Sequence, residues 1–172
     1  MADKLAWFNS LPTEVASDHL HGCCASTKWT NQMLDARPFA SFGEMTGAAS
    51  RIWWSLQPAD WIEAFHGHPK IGEKKAVNET SSQAQHWATQ EQSSMRQADT
   101  QTGQALAALN KAYEAQFGYI FIICATGKAP RAILTAVQER LKNTPDQELG
   151  VAAGEQAKIT ELRLRKLFDV YT

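Results

Sequence analysis

The residue types best suited to proton chemistry in this chain of 172 residues lie between His66 and Gly72, in the run His-Gly-His-Pro-Lys-Ile-Gly. An imidazole with an unperturbed pKa of about 6.5 can hold or release a proton near neutral pH. Pro69 disfavours helical backbone at His68, which predicts a turn or extended loop that projects the imidazole into a cleft. Function often resides in loops of this kind. His68 is therefore the first candidate for an acid or base, and His66 is the weaker one.

Other motifs that could carry chemistry are less complete. His66 and His68, like His19 and His21, are spaced as pairs that could chelate a metal, but neither pair brings further ligands at a recognised spacing. Gly127-Lys128-Ala129 lacks the Ser or Thr and the earlier glycine of a phosphate-binding loop. A metal-dependent hydrolase that uses His66 and His68 stays as one alternative, and it predicts bound zinc.

Five blocks of residues form a pattern over almost the whole chain. They are His68-Pro69-Lys70-Ile71-Gly72, Glu91-Gln92, Asn110 with Tyr113 and Phe117 to Phe121, Arg140-Leu141, and Leu162-Arg163-Leu164. In this order and spacing they resemble the OHCU decarboxylase family. The resemblance implies removal of carbon dioxide from 2-oxo-4-hydroxy-4-carboxy-5-ureidoimidazoline (OHCU) in urate degradation, which leaves (S)-allantoin. It also implies a homodimer.

The resemblance also implies roles for individual residues. His68 corresponds to the proton donor, Glu91 to a group that orients the substrate by accepting a hydrogen bond from its hydroxyl, and Arg163 to a substrate-binding guanidinium. The other implied substrate-binding residues are Pro69, Ala88, Gln92, Phe121, Ile122 and Ile123. Two positions depart from the family pattern, which commonly has serine where this chain has Ala88 and proline where it has Ile120.

Each of these residues also has a plain structural interpretation. A glutamate in a polar stretch is usually a surface carboxylate, and Arg163 could be a helix-surface charge beside Arg165 and Lys166. Phe121 and its neighbours could simply be core. The implied reaction explains why no cofactor is expected: decarboxylation needs an electron sink, and the imidazoline ring has a C=N bond beside the carbon that bears the carboxylate.

The elements around these residues are predicted to be helical. Apolar residues recur at three- and four-residue steps, most clearly from about Phe42 to Leu56, and Pro58 begins a helix that leads to His66. A helix near Pro12 carries Val15, Leu20 and Cys23. We expect a single all-α domain, a compact helical bundle over residues 1–172.

The second half of the chain contains one segment that is not helical in character. A helix from about Ser82 would place Trp87 and Glu91 on one face of an otherwise polar stretch. Gly118 is suited to end the next helix, and Tyr119 to Ala125 is a continuous apolar run without a second strand to pair with. Its backbone groups must therefore find other partners or a ligand. Further helices are predicted to begin at Pro130 and at the capping box Thr144 to Gln147. Earlier in the chain, the polar segment from Glu73 to Gln92 is predicted to be either a surface helix or a mobile loop.

Composition disfavours several classes of protein. With 17 Lys and Arg against 18 Asp and Glu, the formal charge of -1 gives no basic excess for nucleic acid. No window approaches the roughly 20 apolar residues of a membrane span. Cys23, Cys24 and Cys124 have neither metal nor disulfide spacing, which is typical of thiols in a reducing compartment. We therefore expect a cytoplasmic protein. The alternative from another class is a non-catalytic helical ligand-binding or protein-interaction module that retains the fold, and Ala88 and Ile120 are its support.

Overall fold

The computed structural model describes residues 2–72 and 82–169, and its regular structure there is helical throughout. The all-α prediction is confirmed. No helix within those two ranges is long and apolar enough to cross a membrane. The helices are α1 (Ala2–Ser10), α2 (Thr13–Cys23), α3 (Thr27–Asp35), α4 (Phe42–Ser55), α5 (Pro58–His66), α6 (Ser82–Glu91), a 3-10 helix (Ser93–Gln97), α7 (Thr100–Phe117), α8 (Pro130–Arg140) and α9 (Pro145–Leu167).

The described residues form two compact units. The first contains those up to Ala64 together with those from Ala157 onward, and the second runs from Phe65 to Gln156. The boundaries lie inside α5 and inside α9. The expectation of a single domain stays a prediction.

A helix cap and an indole hydrogen bond stabilise helices of the first unit. The Ser41 hydroxyl accepts a hydrogen bond from the backbone N–H of Glu44 (3.0 Å) and so caps α4. The buried Trp29 indole donates to the Ala49 carbonyl (3.1 Å), which joins α3 to α4. The predicted helix near Pro12 is confirmed as α2, which contains Val15, Leu20 and Cys23. Leu20 and Cys23 are buried, whereas Val15 lies on the exposed face of the helix.

The second unit contains α6, α7, α8 and the first half of α9. As predicted, α7 ends at Gly118, which adopts the left-handed conformation (φ 81°) and donates its backbone N–H to Glu114. The capping box at the start of α9 is also confirmed, because Thr144 N–H donates to the Gln147 side chain (3.1 Å) and Gln147 N–H donates to the Thr144 hydroxyl (3.4 Å).

The end of α7 provides a stability test. Gly118→Ala should lower the free energy of unfolding by about 1 kcal/mol, since a Cβ is strained at positive φ even though it would meet no atom within 4 Å. Gly103→Ala, in the interior of the same helix and equally uncrowded, should instead raise stability by roughly 0.5–1 kcal/mol. Urea denaturation of both variants measures the difference. Equal effects at the two positions would contradict this account of the helix end.

Candidate active site

His68 lies in the loop that follows α5, as predicted. Its backbone N–H donates to the Phe65 carbonyl (3.1 Å), and this turn presents a half-buried imidazole. The ring nitrogen Nε2 lies 2.7 Å from Oε1 of Gln156, a fully buried side chain of α9. Sequence reasoning missed Gln156. It could have been found as a polar residue three positions after the buried Ala153, on the same face of α9.

The rest of the loop is fastened to α7 and to the end of α6. The Asn110 amide donates to the Ile71 carbonyl (3.0 Å), and Lys70 pairs with Glu114 (2.6 Å). The Gly72 backbone N–H donates to Oε1 of Gln92 (3.0 Å). Gln92, a predicted binding residue, therefore holds the histidine loop directly.

The predicted helix containing Glu91 is confirmed as α6. Trp87, Ala88 and Glu91 are all buried, so the interpretation of Glu91 as a surface carboxylate is wrong. The charge of Glu91 also affects Cys124, in the segment from Tyr119 to Ala125. Burial raises the pKa of the Cys124 thiol, and Lys128 opposes this rise. The negative charges of Glu155 and Glu91 add to it. Residues 73–81, the first part of the segment predicted as either a surface helix or a mobile loop, lie outside the described residues.

Tyr119 to Ala125, which we call the extended segment, has neither helix nor strand structure, as expected, and its side chains are buried except at Ile120. Its backbone finds partners on two helices. The Ile122 carbonyl accepts a hydrogen bond from Nη1 of Arg140 (2.6 Å), and the Cys124 N–H donates to the Glu155 carboxylate (2.7 Å). Part of the backbone predicted to meet substrate is thus held by protein groups.

A buried charged cluster supports this segment. Both Nε (2.7 Å) and Nη2 (2.6 Å) of Arg140 contact Oε1 of the fully buried Glu148, which also accepts the Tyr113 hydroxyl hydrogen bond. The Asn143 amide donates to the other carboxylate oxygen (2.8 Å). The Arg140 guanidinium lies 4.5 Å from the centre of the Phe121 ring. Sequence reasoning quoted Arg140 in a motif but did not find its partner Glu148.

Arg163 is the one predicted site residue in the first unit; the others lie in the second. It is only 3% exposed and donates from Nη1 to the Gly22 carbonyl (3.2 Å), so the interpretation as a helix-surface charge is wrong. Burial raises the pKa of Cys24 to about 12, and the positive charge of Arg163 opposes the rise. The surface charge is instead Arg165, which pairs with Glu161 (2.8 Å).

Metal ligands do not cluster in the described part of the chain. Within it, no group of three or more His, Cys, Asp or Glu side chains is arranged to hold a metal ion. His66, the partner that a metal site with His68 would need, is exposed at the end of α5.

Comparison with known proteins establishes the relationship. The model of the OHCU decarboxylase family matches residues 9–165 of this chain. The chain belongs to the OHCU decarboxylase family. The OHCU decarboxylase of Amia calva is 29% identical to it over 77% of this chain and 75% of that protein.

Longer relatives contain the same region within larger proteins. The uric acid degradation bifunctional protein TTL of Arabidopsis thaliana is 38% identical over 91% of this chain, but the chain spans only 48% of TTL. It likewise spans 31% of the Bacillus subtilis protein PucL, at 25% identity. An OHCU decarboxylase crystallised in the presence of (S)-allantoin superposes with a TM-score of 0.76, at 35% identity over 88% of this chain and 98% of that one.

The buried cluster predicts a large loss of stability on removing its cation. Arg140→Met should lower the free energy of unfolding by about 3–5 kcal/mol, because it leaves the Glu148 carboxylate buried without its positive partner. Arg140→Met combined with Glu148→Gln should recover part of that loss, since a neutral amide still accepts a hydrogen bond. Chemical denaturation of both variants provides the test. A single variant as stable as the wild type would show that the ion pair is not needed.

Tyr113 predicts a pH dependence of stability. Burial and the hydrogen bond to Glu148 raise its pKa above the ordinary value of about 10, so the unfolded chain releases this proton first. The resulting contribution to stability is present below about pH 10 and lost as the pH rises further, by roughly 1.4 kcal/mol per pH unit for one proton. Denaturation from about pH 9 to 11 should show a shallower decline for Tyr113→Phe. Identical slopes would contradict the assignment.

Proposed function

We propose that this protein decarboxylates OHCU to (S)-allantoin and carbon dioxide without a cofactor. The observation that carries the proposal is that a chain of the OHCU decarboxylase family holds His68, by the Gln156 hydrogen bond, in the same unit as the buried Glu91. A buried carboxylate that remains charged needs compensating interactions, and functional sites are where such groups are commonly retained.

The reaction defines what each group must do. The bond between the ring carbon and its carboxylate breaks and carbon dioxide leaves. The freed electron pair forms a double bond to the neighbouring carbon, and the C=N pair moves to the ring nitrogen, which takes up a proton. The hydroxyl on the same carbon then loses its proton and becomes the carbonyl of allantoin, while the neighbouring carbon that bears the ureido group gains a proton. Because that carbon becomes the stereocentre, the proton must arrive on one face of a planar intermediate.

His68 and Glu91 suit the two proton positions. In this proposal His68 delivers the proton to the ureido-bearing carbon, and Glu91 accepts the hydrogen bond of the substrate hydroxyl. For Arg163 the family resemblance implies a substrate-binding role, and a guanidinium suits carboxylate and carbonyl oxygens. Pro69, Ala88 and Gln92 contribute the walls near these residues. Phe121, Ile122 and Ile123 exclude water with side chains that are all buried.

The same family membership supports a wider set of proposals. The protein acts in urate degradation in the cytoplasm, as a single domain that forms a homodimer. Trp54, which is 50% exposed, is compatible with a surface that a second copy covers.

The direct test follows freshly generated OHCU by circular dichroism, with and without the protein and with no metal or cofactor added. We expect accelerated appearance of optically active (S)-allantoin. Racemic product at the uncatalysed rate would reject the enzyme and favour the non-catalytic binding module, which should hold allantoin without turning over OHCU. Ala88 favours that second candidate, because it cannot supply the hydroxyl that serine offers at this position of the family.

His68→Ala should lower kcat by roughly a hundred- to ten-thousand-fold, the usual contribution of general acid catalysis. The fold should persist because the side chain is half-buried in a loop rather than packed in the core. His66→Ala, two residues away and exposed, is the matched control and should retain activity. Far-ultraviolet circular dichroism checks the fold of both variants. A His68→Ala variant that is folded and fully active would exclude His68 as the proton donor.

A further inference from the structure

The hydrogen bond between His68 and Gln156 differs from an incidental surface contact because Gln156 is fully buried. Gln156 is a polar side chain with 0% exposure, and its amide oxygen lies 2.7 Å from Nε2 of His68 although the two residues are 88 positions apart. A buried amide must satisfy its hydrogen-bonding groups inside the protein, so its orientation is fixed by its surroundings. An imidazole that binds such an amide is held in one direction.

The neighbour of Gln156 on α9 makes a second connection to the site. The Glu155 carboxylate accepts the hydrogen bond of the Cys124 backbone N–H (2.7 Å). Two consecutive residues of one helix therefore hold the histidine loop and the extended segment. Because the helix backbone fixes the spacing between these two anchors, it limits how far His68 can move relative to the segment.

The direction of the hydrogen bond determines where the imidazole proton lies. An amide oxygen can only accept, so Nε2 of His68 must be the donor. A neutral imidazole with its proton on Nε2 has Nδ1 as its basic nitrogen, so the proton that His68 delivers to the substrate must first bind to Nδ1. The partner of one ring nitrogen commonly sets the tautomer of a functional histidine, and loss of such a partner can reduce activity strongly even when the histidine remains.

We propose that Gln156 is a positioning residue, which holds neutral His68 with its proton on Nε2 and its ring in a single orientation. The inference rests on the proposed function for its catalytic consequence, but the hydrogen bond and the tautomer are properties of the protein alone. Gln156 need not touch substrate for this role.

Nuclear magnetic resonance tests the tautomer without any assay. The protein is labelled with nitrogen-15 and long-range proton–nitrogen spectra are recorded at about pH 8, where a histidine of ordinary pKa is neutral. His68→Ala identifies the His68 signals among the five histidines. The wild type should show His68 protonated on Nε2. Protonation on Nδ1 in the wild type would overturn the inference without the need for any variant.

Two substitutions test the residue itself. Gln156→Met keeps a similar unbranched shape but removes the acceptor, and should give a mixture of His68 tautomers and a kcat lower by roughly ten- to a hundred-fold, with KM near that of the wild type. Gln156→Glu keeps an oxygen acceptor and should keep the proton on Nε2. Thr160→Val, which removes a buried hydroxyl that interacts with Cys24 elsewhere on α9, should change neither measurement.

The outcomes separate this inference from the proposed function. An unchanged His68 tautomer and an unchanged kcat in Gln156→Met would overturn the positioning role while decarboxylation stands. A wild type protonated on Nε2, with mixed tautomers in Gln156→Met but no decarboxylation by either protein, would support the positioning of His68 and reject the proposed reaction.

Discussion

The Arg140 guanidinium is the interaction on which the architecture of the second unit depends. It joins the buried Glu148 carboxylate to the Ile122 carbonyl and lies against the Phe121 ring. An extended segment inside a helical fold has no neighbouring strand to pair with, so its backbone groups require side chains or a ligand. Burying an ion pair has a large desolvation cost, which good geometry and further hydrogen bonds can offset. Here that pair fixes the path of the segment.

The same logic extends to the histidine loop. His68, Ile71 and Gly72 are each held by a side-chain amide, from Gln156, Asn110 and Gln92 respectively. A loop fastened at these points can keep an imidazole in a defined place although it lacks regular structure. Catalytic groups must be held to within a fraction of an ångström to be effective, and such hydrogen bonds provide that restraint.

The sequence was most informative where local rules determine structure. The end of α7 at Gly118, the capping box at Thr144 and the face shared by Trp87 and Glu91 depend on residues within one or two helical turns, and all three were predicted correctly. Periodicity can place Gln156 on a buried helix face, but the contacts that Glu148 and Gln156 make depend on how distant segments pack, which periodicity does not encode. Val15 lies on a helix that was predicted correctly and yet is exposed, since an apolar residue can occupy an exposed helix face.

The central claim is that the second unit carries a substrate site around His68 and Glu91. A crystal structure of this protein with (S)-allantoin bound tests it most directly. The account predicts that the ligand contacts the His68 imidazole and the Glu91 carboxylate beside the segment from Phe121 to Ile123. A well-ordered ligand bound elsewhere, with neither side chain in contact, would contradict the account.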